Sequence, residues 1–532
     1  MIEWKSYAKY AFAIPALVAF VLALIPTLKY QWPLSWDIIY HIQYAKIYAQ
    51  YGLVLTDPLL NAPFGQKIAY PPLFHFIIAG LGNLFHADYF QVAKYLQPIL
   101  AGLLVLTSSY VGYKFYGKIV GLSAGFLLIS SYIFTRIILP IPENLALIFL
   151  PLAVYLYYIS IKNKNLKAGV LAGILFVITA LSHLLAPLCL FIIITSISLV
   201  ELIFYRNIGV FKNYAAFLLA SILSLALGAL GLLIVAPDLF QSVLNQGIGG
   251  VTGIATSIYQ NRPLGLLGYL KNIGPILCIF AVAGGIIAIK KHEKKDVFLM
   301  VWIISMILLS VAYLIGINVI SYRAIIYILI PLSILGGLGI NTIYHKLKDY
   351  PQTSSKQFRC GFLVAILVLS TFTGFLTVDN PKISYFGVKN DFGTIQIAPP
   401  SSSEVDLAQW FQKNGNKSRS ILISNQFTGM FLATQTGMPM HYSFELYSLK
   451  NSPNATLDTM KAEKIGYIVY DKNLVLSPPD NSNLFIKPVL GEFYPLYYIS
   501  QDIQKNINQI KPDYTQIVYE NQDFIVLKII YS

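Results

Sequence analysis

An acid and an imidazole stand one helical turn apart at the start of the polar, aromatic-rich stretch that follows the first long apolar run. The spacing predicts a helix over Ser35–Gly52, and the residues that share one of its faces are Asp37, His41, Tyr44 and Tyr48. Asp37 would lie in the first turn, where the helix dipole favours a deprotonated carboxylate. Such a group can accept a proton from a hydroxyl, as a general base does. The alternative is that Asp37 only stabilises the helix N-terminus and that His41 packs or pairs with it.

The composition places these residues in a membrane protein. Of the 532 residues, 56% are apolar and only 12% are charged, and the mean hydropathy is +0.63. This is too apolar for a soluble chain. The net charge of +14 would suggest nucleic acid in a soluble domain, but here the basic residues cluster in short loops between apolar runs. That pattern indicates membrane topology, so no nucleic-acid partner is predicted.

Apolar runs predict about eleven transmembrane helices. Every second loop is rich in Lys or Arg, which predicts a cell-membrane protein with these loops and the N-terminus in the cytoplasm. The segment Pro71–Phe85 is short and begins with two prolines, so we expect it to lie at the outer surface without crossing. The spans are expected at 8–28, 91–113, 119–138, 144–160, 168–185, 186–205, 214–236, 264–289, 297–317, 322–343 and 360–377.

Hydropathy drops after the last predicted span. The sequence therefore predicts a transmembrane domain at 1–377, with its first outer loop at 29–90, and an extracytoplasmic α/β domain at 378–532. The elements expected in this second domain are helices at 406–414 and 457–464, strands at 420–424 and 466–470, and a hairpin formed by 514–519 and 524–530.

The stretch from Trp36 to His75 carries a recognisable order of short motifs. It reads Thr56-Asp57-Pro58, then Pro63-Phe64-Gly65, then Tyr70-Pro71-Pro72-Leu73-Phe74-His75. The whole stretch resembles the first outer loop of GT-C fold glycosyltransferases, and it is most similar to that of the oligosaccharyltransferase catalytic subunit and its prokaryotic relatives. Asp37 stands where that family has its first catalytic acid. The resemblance implies transfer of a sugar from a polyprenyl-phosphate-linked donor in the lipid bilayer to a glycan, lipid or protein acceptor.

A second place of resemblance is Arg136–Ala146, at the outer ends of the third and fourth predicted spans. The related enzymes have an Arg followed by an acidic pair, one member of which helps to bind a divalent metal or to position the acceptor. Glu143 matches the acid and would assist catalysis, but Asn144 follows it and no paired acid is present. A divalent cation such as Mg²⁺ or Mn²⁺ would have only Asp37 and Glu143 as ligands, a thin set. Taken alone, Pro142-Glu143 is also a common helix start.

Other residues are candidates for binding substrate. The resemblance implies that an arginine near the later spans holds the donor phosphate, and we assign this role to Arg323, with Arg262 as a second candidate. An arginine that snorkels to the interface is the alternative. His183 would lie at membrane depth, where it could line the substrate cavity or be a buried core histidine. The remaining candidates are His41, Tyr70, His75 and Arg136.

One departure from the family concerns acceptor recognition. Oligosaccharyltransferases carry a Trp-Trp-Asp-Tyr-Gly motif at the start of the C-terminal domain, and nothing between Val378 and Ser532 matches it. The sequence therefore favours a GT-C glycosyltransferase that does not read a sequon. Two alternatives stay open: a secondary transporter or lipid flippase gated by outer-face charges, and a non-catalytic GT-C relative.

Overall fold

A computed structural model of the chain describes residues 8–35, 37–68, 70–241, 266–315, 323–379, 400–423, 426–442, 453–472, 485–489, 494–498 and 511–531. The helices are α1 (Ile14–Lys29), α2 (Asp37–Tyr51), α3 (Leu73–Phe85), α4 (Tyr89–Tyr116), α5 (Lys118–Ile129), α6 (Phe134–Ile137), α7 (Pro142–Lys162), α8 (Leu166–Ser182), α9 (Leu185–Ile203), α10 (Val210–Val235), α11 (Leu266–Ile273), α12 (Pro275–Lys291), α13 (Lys294–Ser310), α14 (Ala324–Lys346), α15 (Lys356–Asp379), α16 (Ser402–Asn414), α17 (Gln426–Thr436) and α18 (Pro453–Ala462). The strands are β1 (Thr56–Asp57), β2 (Gln66–Lys67), β3 (Ser420–Ile423), β4 (Met440–Tyr442), β5 (Ile465–Asp471), β6 (Phe485–Val489), β7 (Tyr494–Tyr498), β8 (Thr515–Glu520) and β9 (Phe524–Ile529).

Seven helices within the described ranges are long and apolar enough to cross a membrane, and the chain is a polytopic α-helical membrane protein. The pair α11 and α12, bent by 106°, could form an eighth span. Helices α5, α8 and α13 also fall on predicted spans but have only 12, 17 and 17 residues. The count of about eleven spans therefore stays a prediction. The seven are Tyr10–Lys29, Tyr89–Tyr116, Pro142–Lys162, Leu185–Ile203, Val210–Val235, Ala324–Asp349 and Lys356–Asp379.

Helix α3 occupies the segment that the sequence predicts not to cross. It has 13 residues, about 20 Å of helix against a hydrocarbon core of about 30 Å. It is therefore shorter than a single spanning helix, and its placement at the outer surface without crossing stays a prediction.

The chain divides into two compact units. The first comprises Met1–Leu34, Tyr70–Phe74 and Gln91–Thr394, and the second comprises Ser35–Ala69, His75–Phe90 and Ile395–Ser532. The domain boundaries predicted from the sequence, with the first outer loop inside the transmembrane domain, stay a prediction. Most of this loop groups with the C-terminal residues because its backbone pairs with their sheet.

In the first unit, helices differ in how much of their surface is covered by protein. On α10 the buried residues are few, and most of its remaining apolar side chains are exposed, as expected of a helix that faces lipid. Helix α14 is buried along most of its length and crosses α12 at two glycines. A Cβ on Gly284 would collide with the carbonyl oxygen of Leu335, and a Cβ on Gly339 would collide with that of Phe280. Glycine at both positions allows this close backbone approach.

In the second unit, a five-stranded sheet has the order β4-β3-β5-β9-β8. Strand β3 runs parallel to β4 and β5, whereas β9 is antiparallel to β5 and β8. Every residue of β3 and β5 is buried, which explains their continuous apolar character. The helices, strands and hairpin predicted from 406 to 530 are found here, with small shifts of their ends.

The first outer loop extends this sheet at its β4 edge. Leu60 forms a parallel bridge with Met440. The Met440 N–H donates to the carbonyl of Leu59 at 2.6 Å, and the Ala62 N–H donates to the carbonyl of Met440 at 2.8 Å. An edge strand presents unpaired backbone groups, and the loop satisfies them here. The second unit is therefore built from two segments that lie far apart in the sequence.

Candidate functional site

Asp37 begins helix α2 in an accessible position. The backbone N–H of Asp37 donates to Oγ of Ser35 at 3.2 Å. Ser35 adopts a left-handed conformation with φ 83°, so the chain turns sharply into the helix. The Asp37 side chain is 36% exposed. Its carboxylate thus lies at a helix N-terminus, where the dipole favours negative charge, and it can still be reached from solvent.

Behind Asp37 lies a pair of buried imidazoles. His41 Nε2 is 3.9 Å from Asp37 Oδ2. His41 Nδ1 is 2.9 Å from His75 Nε2, and the two rings stack with centroids 5.1 Å apart. A bond between two imidazole nitrogens requires one to donate and the other to accept. Burial, reinforced by the nearby His41, holds the pKa of His75 well below its usual value, so His75 is neutral near pH 7.

Two tyrosines of the same helix enclose these imidazoles. The rings of Tyr44 and Tyr48 lie edge-on to His75, with centroids 5.3 and 5.6 Å away. Burial raises the pKa of Tyr48 to about 12 and raises that of Tyr44 as well, so both phenols are protonated at neutral pH. The sequence predicts that His41 and His75 bind substrate. The structure buries both and bonds them to each other, which favours a role behind Asp37 instead of direct substrate contact.

Lys46 fixes the orientation of α2 within the second unit. Its Nζ donates to the carbonyl of Thr434 at 2.6 Å and lies 5.4 Å from the centre of the Phe90 ring. Thr434 is in the last turn of α17, where backbone carbonyls lack helical partners and a cation is favoured. Burial lowers the pKa of Lys46, and Asp88 opposes this shift. Asp37 therefore stands on a helix that is anchored to the C-terminal residues.

In the first unit, Glu143 forms a buried ion pair. Proline at the first position of α7 places Glu143 in the first turn of that helix. Arg136 Nη2 lies 2.5 Å from Glu143 Oε2, and the hydroxyl of Tyr327 donates to Glu143 Oε1 at 3.3 Å. Arg136 and Glu143 are 6% and 1% exposed. Both carboxylate oxygens are thus engaged and shielded from solvent.

Asn144, the departure from the family pattern, has a structural role. Its side-chain N–H groups donate to the carbonyl of Arg136 at 2.9 Å and to that of Leu139 at 2.7 Å. A carboxylate at this position would have no proton to donate to either carbonyl. Asn144 therefore holds the turn that carries Arg136, which an acid could not do.

Three further candidates of the first unit lie around this ion pair. Arg323, half-buried at the start of α14, and His183 both interact electrostatically with Glu143. Nδ1 of His183 accepts from the Ala186 N–H at 3.2 Å, which leaves its proton on Nε2. The ring of Tyr70 is 6.0 Å from that of His183. The structure therefore gathers Tyr70, Arg136, Glu143, His183 and Arg323 in the first unit.

The remaining predicted residues are placed differently. Asp37, His41 and His75 belong to the second unit, and Arg262 lies outside the described residues. Tyr327 is absent from the sequence-based candidates although it contacts Glu143. The signal for it is its spacing, because it follows Arg323 by one helical turn and shares its face of α14.

The described side chains do not match the divalent cation that the resemblance implies. Within the described ranges, no group of three or more His, Cys, Asp or Glu side chains is arranged to hold a metal ion. Glu143 already uses one oxygen for Arg136 and the other for Tyr327. Hard divalent cations require several oxygen ligands. We therefore derive no step through a metal.

Comparison with solved structures confirms the GT-C fold. The oligosaccharyltransferase AglB from Archaeoglobus fulgidus, in complex with an inhibitory peptide and a dolichol-phosphate, has a TM-score of 0.59 and 14% identity over 89% of this chain and 70% of that chain. ArnT from Cupriavidus metallidurans, bound to undecaprenyl phosphate, has a TM-score of 0.59 and 11% identity over 98% of both chains. The arabinofuranosyltransferase AftD from Mycobacteria has a TM-score of 0.57 and 12% identity over 98% of this chain and 40% of that chain. No protein-family model matches the chain, and no curated protein is a significant match.

Proposed function

We propose that this protein is a membrane glycosyltransferase that moves a sugar from a polyprenyl-phosphate-linked donor to an acceptor at the outer face of the membrane. The proposal rests on the position of Asp37 in a chain that has the GT-C fold. Its carboxylate is accessible, stands at the N-terminus of an anchored helix and is backed by a buried imidazole pair. An accessible carboxylate on an anchored helix can reach an acceptor hydroxyl and accept its proton, as a general base does.

In the proposed reaction, Asp37 accepts the proton of an acceptor hydroxyl. The acceptor oxygen then attacks the anomeric carbon of the sugar, and the bond from that carbon to the phosphate oxygen breaks. The polyprenyl phosphate leaves with the electron pair of the broken bond. His41 and His75 are positioning residues in this scheme. Nε2 of His41 lies 3.9 Å from the Asp37 carboxylate, and Nδ1 of His41 is hydrogen-bonded to His75.

Arg323 is the proposed ligand of the donor phosphate. A guanidinium offers two parallel N–H groups to a phosphate, and Arg323 is only half-buried. Arg136 pairs with Glu143 at 2.5 Å, and Arg323 also interacts electrostatically with Glu143, so we assign Arg136 a supporting role in the site. The solved complexes of ArnT with undecaprenyl phosphate and of AglB with a dolichol-phosphate support this choice of donor class.

The proposal is tested by turnover of a defined donor. The purified protein in lipid nanodiscs is given a panel of undecaprenyl-phosphate-linked hexoses and pentoses, with and without mixed glycan and lipid acceptors, and released undecaprenyl phosphate is measured. We expect release to depend on acceptor and to be lost in Asp37→Asn. An Asp37→Asn protein that folds and turns over at the normal rate would falsify the assignment of Asp37.

A flippase would behave differently in the same system. In sealed vesicles it would move a labelled donor lipid between leaflets without breaking the sugar–phosphate bond. Translocation without bond cleavage in the wild-type protein, unchanged in Asp37→Asn, would replace the glycosyltransferase proposal by the flippase alternative.

A further inference from the structure

A cavity of about 430 Å³ lies in the first unit at the end of α7 remote from Glu143. Its walls come from the C-terminal ends of α4 and α7 and from the start of α13. Glu143 and Lys162 stand near opposite ends of a 21-residue helix, which separates them by about 30 Å. The cavity therefore belongs to the other membrane face from the Arg136–Glu143 ion pair, and the proposed function makes no use of it.

The cavity carries an excess of positive charge. Its charged lining residues are Lys114, Lys162, Glu293, Lys294 and Lys295. Lys294 pairs with Glu201 at 3.1 Å, and Lys295 pairs with Glu293 at 2.9 Å. Lys114 and Lys162 form no ion pair with any described residue. The lining thus contains four ammonium groups and one carboxylate, Glu293, which pairs with Lys295 and also interacts electrostatically with Lys162.

Several of these ammonium groups are held against aromatic rings. The Nζ atoms of Lys114, Lys162 and Lys295 lie 5.3, 5.5 and 4.7 Å from the ring centres of Tyr110, Tyr158 and Tyr116, respectively. Cation–π attraction restrains a lysine without neutralising its charge. The charge in the cavity is therefore positioned by the walls.

The turn that carries Glu293 and the two following lysines is also fixed. Glu293 caps α13, and its own N–H donates to the Asp296 carboxylate at 3.0 Å in a reciprocal capping box. The hydroxyl of Tyr116, at the end of α4, donates to the other oxygen of Asp296. Asp296 is 1% exposed. This buried bond ties the start of α13 to the end of α4, so the cavity walls do not depend on a free loop.

We propose that this cavity binds a phosphate-bearing anion, with the headgroup of an anionic phospholipid as its natural source. The ends of spanning helices lie at the level of lipid phosphates, and basic pockets between such ends attract anionic headgroups. The lining also includes Phe115, Tyr155 and Ile159, which suit the glycerol and upper acyl region of a lipid. The basic loops predict that this is the cytoplasmic leaflet. Inorganic phosphate shares the same chemistry and is the other possible source.

The test compares two double variants of equal charge in the full-length protein. Lys114→Gln/Lys162→Gln removes the two lysines without ion pairs from the cavity. Lys118→Gln/Lys167→Gln removes two exposed lysines nearby that do not line it. Native mass spectrometry in detergent measures binding of phosphatidylglycerol, with phosphatidylcholine as the neutral lipid, and inorganic phosphate is added in a separate arm.

We expect the cavity variant to bind phosphatidylglycerol roughly 25-fold more weakly, because each of the two ammonium groups lost next to an anion weakens binding about fivefold. The control variant should bind normally, and Lys114→Arg/Lys162→Arg should retain binding because it keeps both charges. Displacement of the lipid by inorganic phosphate would support the phosphate site and assign a soluble source. Equal losses in the two double variants, or no loss in the cavity variant, would overturn the proposal.

Discussion

The two carboxylates that resemble catalytic acids of the family occupy opposite environments. The side chain of Asp37 is 36% exposed and lies 3.9 Å from a nitrogen of His41, whereas that of Glu143 is 1% exposed and lies 2.5 Å from a guanidinium nitrogen of Arg136. A proton acceptor must reach its substrate and must be able to change its charge. A buried carboxylate paired with arginine does neither at low cost. The environment of Asp37 therefore suits proton transfer, whereas that of Glu143 suits a structural ion pair with Arg136.

The largest expected effect is the loss of transfer in Asp37→Asn. Removing a general base typically costs about 10²- to 10⁴-fold in rate. Because the Asp37 side chain is only partly buried, we expect the melting temperature in detergent to change little. Asp88→Asn is the matched control, since it removes the same charge from an exposed site in the same unit, and Asn can still cap α4 as Asp88 does. Similar transfer rates for Asp37→Asn and Asp88→Asn would contradict a catalytic role for Asp37.

Glu143→Gln should show the opposite pattern, with stability affected first. The change leaves the Arg136 charge buried without its carboxylate, which costs about 3–5 kcal/mol. Thermal unfolding in detergent measures the loss. In the double variant Arg136→Met/Glu143→Gln the unpaired charge is gone, so much of the stability should return. An unchanged melting temperature in Glu143→Gln would show that the Arg136–Glu143 ion pair does not stabilise the fold.

Arg323→Gln separates donor binding from chemistry. Loss of a hydrogen bond to a charged group costs about 1.5–3 kcal/mol. We therefore expect the KM for the polyprenyl-phosphate donor to rise about 10- to 100-fold, with a much smaller change in kcat. The KM of Arg323→Lys should lie between those of the wild-type protein and Arg323→Gln, because lysine keeps the charge but lacks the planar pair of N–H donors. A fall in kcat at unchanged KM would contradict the binding role.

Asn144→Asp tests whether the family's acidic pair could be restored in this chain. The substitution takes donors away from the carbonyls of Arg136 and Leu139 and places a charge beside them. We expect a loss of about 2 kcal/mol or more in stability. Asn165→Asp is the control, because Asn165 is exposed and its side chain only accepts a hydrogen bond, from the Lys167 N–H. Equal stability of both variants would argue against the turn-holding role.

The smallest effect concerns pH and the imidazole pair. The pKa of His75 is lower in the folded protein than in the unfolded chain, so the unfolded chain binds the proton more readily. The contribution of His75 to stability is therefore complete above its unfolded pKa of about 6.5 and is lost as the pH falls below it, by up to about 1.4 kcal/mol per pH unit. Melting temperatures between pH 7.5 and pH 5 measure this slope. In His75→Gln the dependence of melting temperature on pH should be weaker. An equal dependence in the two proteins would show that His75 does not cause it.

The sequence alone determined the membrane class, most element positions and the identity of the leading candidates. Hydropathy and helical periodicity are local properties, so they locate α2, the spanning helices and the helices and strands of the C-terminal residues. Short motifs likewise marked Asp37, Arg136 and Glu143. Even the departure at Asn144 was visible in the sequence, although its reason was not.

Only the tertiary structure decided how distant segments combine. The bridge from Leu60 to Met440, the bond from His41 to His75 and the contact of Tyr327 with Glu143 join residues from separate parts of the chain. Such pairings depend on which surfaces pack, and no local pattern encodes them. Burial is decided in the same way. Packing leaves Asp37 accessible and buries Glu143. The sequence shows both only as acidic residues at the start of a helix, so it could not distinguish their environments.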